Sequence, residues 1–188
     1  MSLFDDEPVR GARSGSDWEQ HRAHRQPFAG RPRDEVGIPV ASGAELGRGD
    51  DVVVSLRSLT AYSDGLALDV VVLFSDEQHA AGDLADYTRN PGRFRLGVRY
   101  ADGSRATTGN RASPDVVGSV AGPLLTLQGS RTSVLRWEGE YWLWPLPPPG
   151  RLEAGCRWPD RGIGDRLVEL DAQPLLDAAA RSRPVWCP

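Results

Sequence analysis

The chain has 188 residues, a length that allows one domain with flexible extensions, and its 39% hydrophobic and 26% charged composition is that of an ordinary globular protein. Formal net charge is -4 and all 22 basic residues are arginine; with no basic stripe in the sequence, nucleic acid is not an expected partner. No run of 18 apolar residues occurs, so no transmembrane helix is expected, and the charged stretch Met1–Arg10 lacks the apolar core of a secretory signal.

Residues 1–36 mix charged, Gly, Ser and Pro residues without hydrophobic periodicity, and read as a disordered tail. Trp18 and Phe28 stand out in it; they read first as incidental aromatics of a solvated tail, and otherwise as anchors of a binding motif or as side chains that fold back on the domain. The ordered domain is expected over 37–188.

Asp51–Tyr62 and Gly65–Ser75 form the clearest strand pair, joined by a Ser63-Asp64-Gly65 turn. In the first, Val52, Val54 and Leu56 alternate inward before Leu59 and Ala61 take over, a phase change that predicts a β-bulge near Arg57 and Ser58. The second strand is apolar on both faces, with Leu66, Leu68, Val70, Val72 and Phe74 on one side and Val71 and Leu73 on the other. This predicts a central position in its sheet.

Asp76–Gly92 reads as a loop, with a short helix around Ala80–Tyr87 as the competing reading. Arg93–Ala101 alternates strictly. Phe94, Leu96, Val98 and Tyr100 face the core; Arg93, Arg95 and Arg99 face solvent. Asp102-Gly103 predicts a hairpin into Ser104–Thr108, bringing Arg105 across from those arginines. The arginine row suits an anionic ligand or an acidic partner. The favoured reading is the charge that edge strands carry against aggregation.

Gly109–Pro123 reads as a long loop. Leu124–Gln128 and Val134–Leu146 resume strand character, with Gly129–Thr132 as the expected turn. Pro147-Pro148-Pro149-Gly150 stops the strand. As a Pro-rich run it reads either as a rigid connection or as a polyproline II ligand. In Leu152–Trp158, Leu152, Ala154, Cys156 and Trp158 share a face opposite Arg151, Glu153 and Arg157. Leu167–Leu170 is a last short strand, and a helix at about 173–182 follows, with Asp171 as its N-cap and Pro184 beyond its end.

The expected fold is mainly β: an antiparallel β-sandwich, Ig-like or jelly-roll-like, of about 8–9 strands with a short C-terminal helix. Trp137, Tyr141, Trp142, Trp144 and Trp158 crowd two strands expected to be adjacent. Trp137 and Tyr141 share one face, Trp142 and Trp144 the other. Either a loop or helix covers the second pair, or Trp142 and Trp144 form an exposed platform for a sugar, base or peptide. The candidate binding surface is therefore Trp142, Trp144, Arg93, Arg95 and Arg99.

Reaction chemistry is sparse. His21 and His24 lack the further ligands a metal site needs, and His79 has no partner in sequence. No nucleophile elbow occurs, and a phosphate loop is impossible without lysine. Cys156 reads as a buried, inert thiol, and its pairing with Cys187 stays open. No catalytic residue, metal or cofactor is assigned.

The segment Tyr141–Gly150 (YWLWPLPPPG), with Trp158-Pro159, Gly162-Ile163, Leu170-Asp171 and Ala178-Ala179-Ala180, resembles a set of uncharacterised proteins from high-GC, actinobacterial-type bacteria. The resemblance covers Ile38 to Trp186. It implies an intracellular bacterial protein, and carries over no site residue.

The expectation is a non-enzymatic cytoplasmic module that binds a protein partner or assembles with itself. The alternatives are a small-ligand or carbohydrate-binding sandwich using Trp142 and Trp144, and a hydrolase whose site is not visible in sequence.

Overall fold

The computed structural model describes residues 25–77, 94–108 and 122–186. Among these are nine strands: β1 (Ile38–Arg48), β2 (Val52–Ala61), β3 (Leu66–Phe74), β4 (Arg95–Arg99), β5 (Arg105–Thr107), β6 (Leu124–Ser133), β7 (Arg136–Trp144), β8 (Arg151–Trp158) and β9 (Ile163–Asp171). One helix follows, α1 (Gln173–Arg181). A five-stranded sheet, β1-β2-β3-β7-β6, and a four-stranded sheet, β5-β4-β8-β9, are both antiparallel. They enclose one main core, which makes the fold a β-sandwich.

Strand positions follow the patterns that predict them. β3, apolar on both faces, lies at the centre of its sheet. The register of β2 against β3 slips between Leu56 and Ser58, where the hydrophobic phase changes. Phe94, Leu96, Val98 and Tyr100 are all buried. Trp158 packs edge-on against Phe74 and Phe94, at ring separations of 6.2 and 5.5 Å, and joins the two sheets.

Several expectations are corrected. β1 carries no clear strand pattern because Pro39, Gly43 and Gly47 interrupt it, and two register shifts accommodate them. Gly129–Thr132 is not a turn but part of β6; the chain reverses at Val134-Leu135. This stretch of β6 is exposed, so no buried alternation offsets its turn-forming residues. β9 spans nine residues rather than four, again mostly exposed. Ala172 takes the N-cap position of α1, and the Gln173 amide still donates to Asp171 Oδ1 at 2.9 Å. Strands β7 and β8, which hold the five aromatic residues, belong to opposite sheets. The connection between them is the proline run, fixed by the Tyr100 hydroxyl donating to the Pro145 carbonyl at 2.6 Å.

Residues 25–36, assigned to the tail from sequence, instead form a strap over the outer face of the five-stranded sheet. Phe28 meets Trp144 edge-on at 6.1 Å, and Trp142 Nε1 donates to the Pro27 carbonyl at 2.8 Å. Arg25 donates to both carboxylate oxygens of Asp64, at 2.7 and 3.2 Å, and lies over the Trp142 ring. Glu35 accepts hydrogen bonds from Ser63 in the β2–β3 turn and from Ser182 after α1. Composition misses the strap because its hold comes from a few specific polar contacts and one aromatic ring rather than a periodic apolar face. Among the described residues no helix is long and apolar enough to cross a membrane.

Candidate functional site

The tryptophan half of the candidate surface is closed. Trp142 is 1% exposed and forms a small second core with Tyr62 and Ala67, against which the half-buried Trp144 packs. The strap occupies the face on which a ligand would stack. Gly65 permits this packing: a Cβ there would lie 2.4 Å from Trp142 Cζ2.

The arginine half is open. Arg93 lies outside the described residues. Arg95 and Arg99 stand on the outer face of the four-stranded sheet, where strand pairing builds two like-charged pairs. Arg95 faces Arg157 across β4 and β8, and Arg99 faces Arg105 across β4 and β5. Between them Gly97 faces Gly155; Gly155 is buried, with Leu167 Cδ2 2.9 Å from where its Cβ would lie, and Thr107 Cγ2 stands 3.3 Å from that of Gly97. A Cβ on Gly155 would meet the Arg166 carbonyl oxygen at 2.1 Å, so close packing against β9 requires glycine. Thr107 and the half-exposed Leu167 extend the row across the sheet.

β4 is not an edge strand, because β5 and β8 flank it. Protection against edge-to-edge aggregation therefore does not account for its arginines.

Carboxylates balance part of this face. Glu153 is bridged by Arg99 and lies 3.9 Å from Arg151, and the Arg99 contact holds its carboxyl below the usual carboxylate range. Arg151 also approaches Glu169 at 3.3 Å, and Arg157 approaches Asp165 at 3.6 Å. Arg95 and Arg105 have no carboxylate partner among the described residues. Like charges directly opposed on one sheet face are unfavourable, so an anion placed between them gains twice, by attraction and by relief of repulsion.

Sequence reading found Arg95, Arg99 and Arg105 but left out Arg151, Arg157, Gly97 and Gly155. A signal was present. Arg95-Leu-Gly-Val-Arg99 and Glu153-Ala-Gly155-Cys-Arg157 both carry glycine at the same parity as arginine, and antiparallel pairing brings the glycines together.

A second charged network lies on the five-stranded sheet. Arg57, at the bulge, donates to Asp69 and to Glu138, at 2.6 and 2.8 Å. Glu138 also accepts from Arg131 and from Arg136, and Arg131 above all holds its carboxyl down to about 2. Its charges are mutually satisfied, so it reads as structural cross-bracing of β2, β3, β6 and β7.

Burial pushes the Cys156 thiol up to about 12, which leaves it protonated and unreactive at neutral pH. Cys187, His21, His24 and His79 lie outside the described residues. Among the described residues no cluster of three His, Cys, Asp or Glu side chains is placed to hold a metal ion. No family model, curated protein or solved structure matches the chain.

Proposed function

We propose that this protein is a non-enzymatic interaction module whose four-stranded sheet docks an acidic segment of a protein partner. One observation carries the reading: the opposed pairs Arg95–Arg157 and Arg99–Arg105 stand on one outer sheet face, on and beside a strand interior to the sheet, with Arg95, Arg105 and Arg157 exposed. Guanidinium groups grip carboxylates through paired N–H donors.

The net charge of -4 favours a short carboxylate-bearing segment over a long polyanion, which the field of the whole chain repels. The test is affinity capture with the intact chain and with Arg95→Glu/Arg105→Glu as parallel baits, followed by reconstitution with the purified partner. Both substituted side chains are exposed, so the fold should hold. A partner that binds the first bait through an acidic segment and not the second supports the reading. Equal capture by both baits overturns it.

A further inference from the structure

The strap lies on the five-stranded sheet as a peptide ligand lies on a receptor. None of Arg25–Arg31 is buried, and the short turn Pro27–Ala29 adds nothing to the core between the sheets. The face beneath it carries its own apolar cluster, Tyr62, Ala67 and Trp142 with Trp144, separate from that core. A segment that buries so little of itself opens at a lower free energy than the fold as a whole.

The groups that hold the strap belong to the sheet and its turns, and stay there when the strap leaves. Asp64 takes the Arg25 guanidinium through both carboxylate oxygens, and the Trp142 ring lies against it at 5.9 Å. Trp142 Nε1 and the Gln128 side-chain amide donate to the Pro27 and Ala29 carbonyls, at 2.8 and 3.3 Å. Trp144 meets the Phe28 ring, and Glu140 takes Arg31 at 2.5 Å. The strap is folded to fit: Arg25 also donates to the Gly30 carbonyl at 2.7 Å, and the Ala29 amide donates to the Gln26 carbonyl at 2.9 Å. Arg25 Nε, however, is buried and makes no hydrogen bond among the described residues. The strap therefore leaves part of the donor capacity of its guanidinium unused, at a cost in affinity for the site.

We infer that this face is a recognition site for a peptide segment of the pattern Arg-x-Pro-aromatic, and that the strap is its built-in occupant, displaced by a partner segment of the same chemistry. The forked carboxylate contact and the indole face select arginine over lysine. Trp144 selects an aromatic ring three residues further on, and proline presets the turn between them. An occupant in the same chain lowers the apparent affinity for a partner by the fraction of molecules that are open.

This site is independent of the arginine face, which lies on the other sheet. The experiment is isothermal titration calorimetry with an acetylated, amidated peptide of residues 25–36, added to the full chain and to full-chain Arg25→Ala/Phe28→Ala. That variant vacates the site and alters no sheet residue; circular dichroism checks its fold, and Phe28→Ala alone replaces it where the fold is lost. The vacated chain should bind the peptide, and the unsubstituted chain should bind at least about tenfold more weakly. Arg25→Lys in the peptide, or Asp64→Asn added to the vacated chain, should each weaken binding by about tenfold or more. A second peptide that keeps Arg25, Pro27, Phe28 and Gly30 and carries serine elsewhere should still bind. No binding to the vacated chain overturns the inference, as does equal binding to the vacated and unsubstituted chains, binding indifferent to Arg25→Lys or Asp64→Asn, or failure of the serine peptide. Arg95→Glu/Arg105→Glu should leave peptide binding unchanged, which separates this result from the test of acidic-segment docking.

Discussion

Phe28→Ala combined with Asp64→Asn should release the strap from the five-stranded sheet. Phe28 is half-buried, so truncation loses about 1 kcal/mol of apolar burial and about 1 kcal/mol of its edge-on contact with Trp144. Asp64 binds Arg25 through two hydrogen bonds, with the side chains 28% and 22% exposed. Solvent screening reduces that pair to about 1 kcal/mol. The sum, about 3 kcal/mol, corresponds to a fall of roughly 6–12 °C in melting temperature for a domain of this size. Differential scanning calorimetry reads the shift. Tryptophan fluorescence gives a second signal, since Trp142 loses its cover and its Nε1–H···O bond to Pro27, and emission should move to the red. Unchanged melting and unchanged emission in the double variant would refute the docking of the strap.

Glu138 should make the fold acid-sensitive in a defined window. Its folded pKa is depressed to about 2 from an ordinary value of 4.5, so its stabilising effect is present above the ordinary value and is lost as pH falls through about 2. The stability difference between the unsubstituted chain and Glu138→Gln, measured by urea unfolding, should therefore shrink steadily over that interval. A difference that stays constant across it would remove Glu138 from the account. Gly155→Ala should destabilise the four-stranded sheet by about 2 kcal/mol or more, because the added Cβ meets backbone that cannot step aside. Gly164→Ala, where a Cβ meets nothing, is the control, and equal thermal stability of the two variants would contradict the argument.

Much of the fold is legible in the residues because burial writes periodicity into sequence. The alternation around Leu96 and Val98, the double-sided apolar run of β3 and the phase change at Arg57 all survive in the structure for that reason. The helix Gln173–Arg181 is equally readable, from Pro174 in its first turn and its apolar Leu175 and Ala179. What is exposed is poorly written. β6 beyond Thr126 and most of β9 have no buried face, so their residues carry turn and solvent chemistry instead. Strand order is not local information at all. Whether β4 lies at an edge, and whether β7 and β8 share a sheet, depends on long-range pairing. Trp142 and Trp144 do share an outward face, as their parity requires, but a segment with no hydrophobic period covers it.

The central claim is that the arginine face of the four-stranded sheet recognises carboxylates. Amide chemical-shift mapping of the labelled chain during titration with a short oligo-glutamate peptide tests it most directly. Shifts should concentrate in β4, β5 and β8, weaken with added salt and vanish in Arg95→Glu/Arg105→Glu. Shifts that fall on other strands, or none at all, would contradict it.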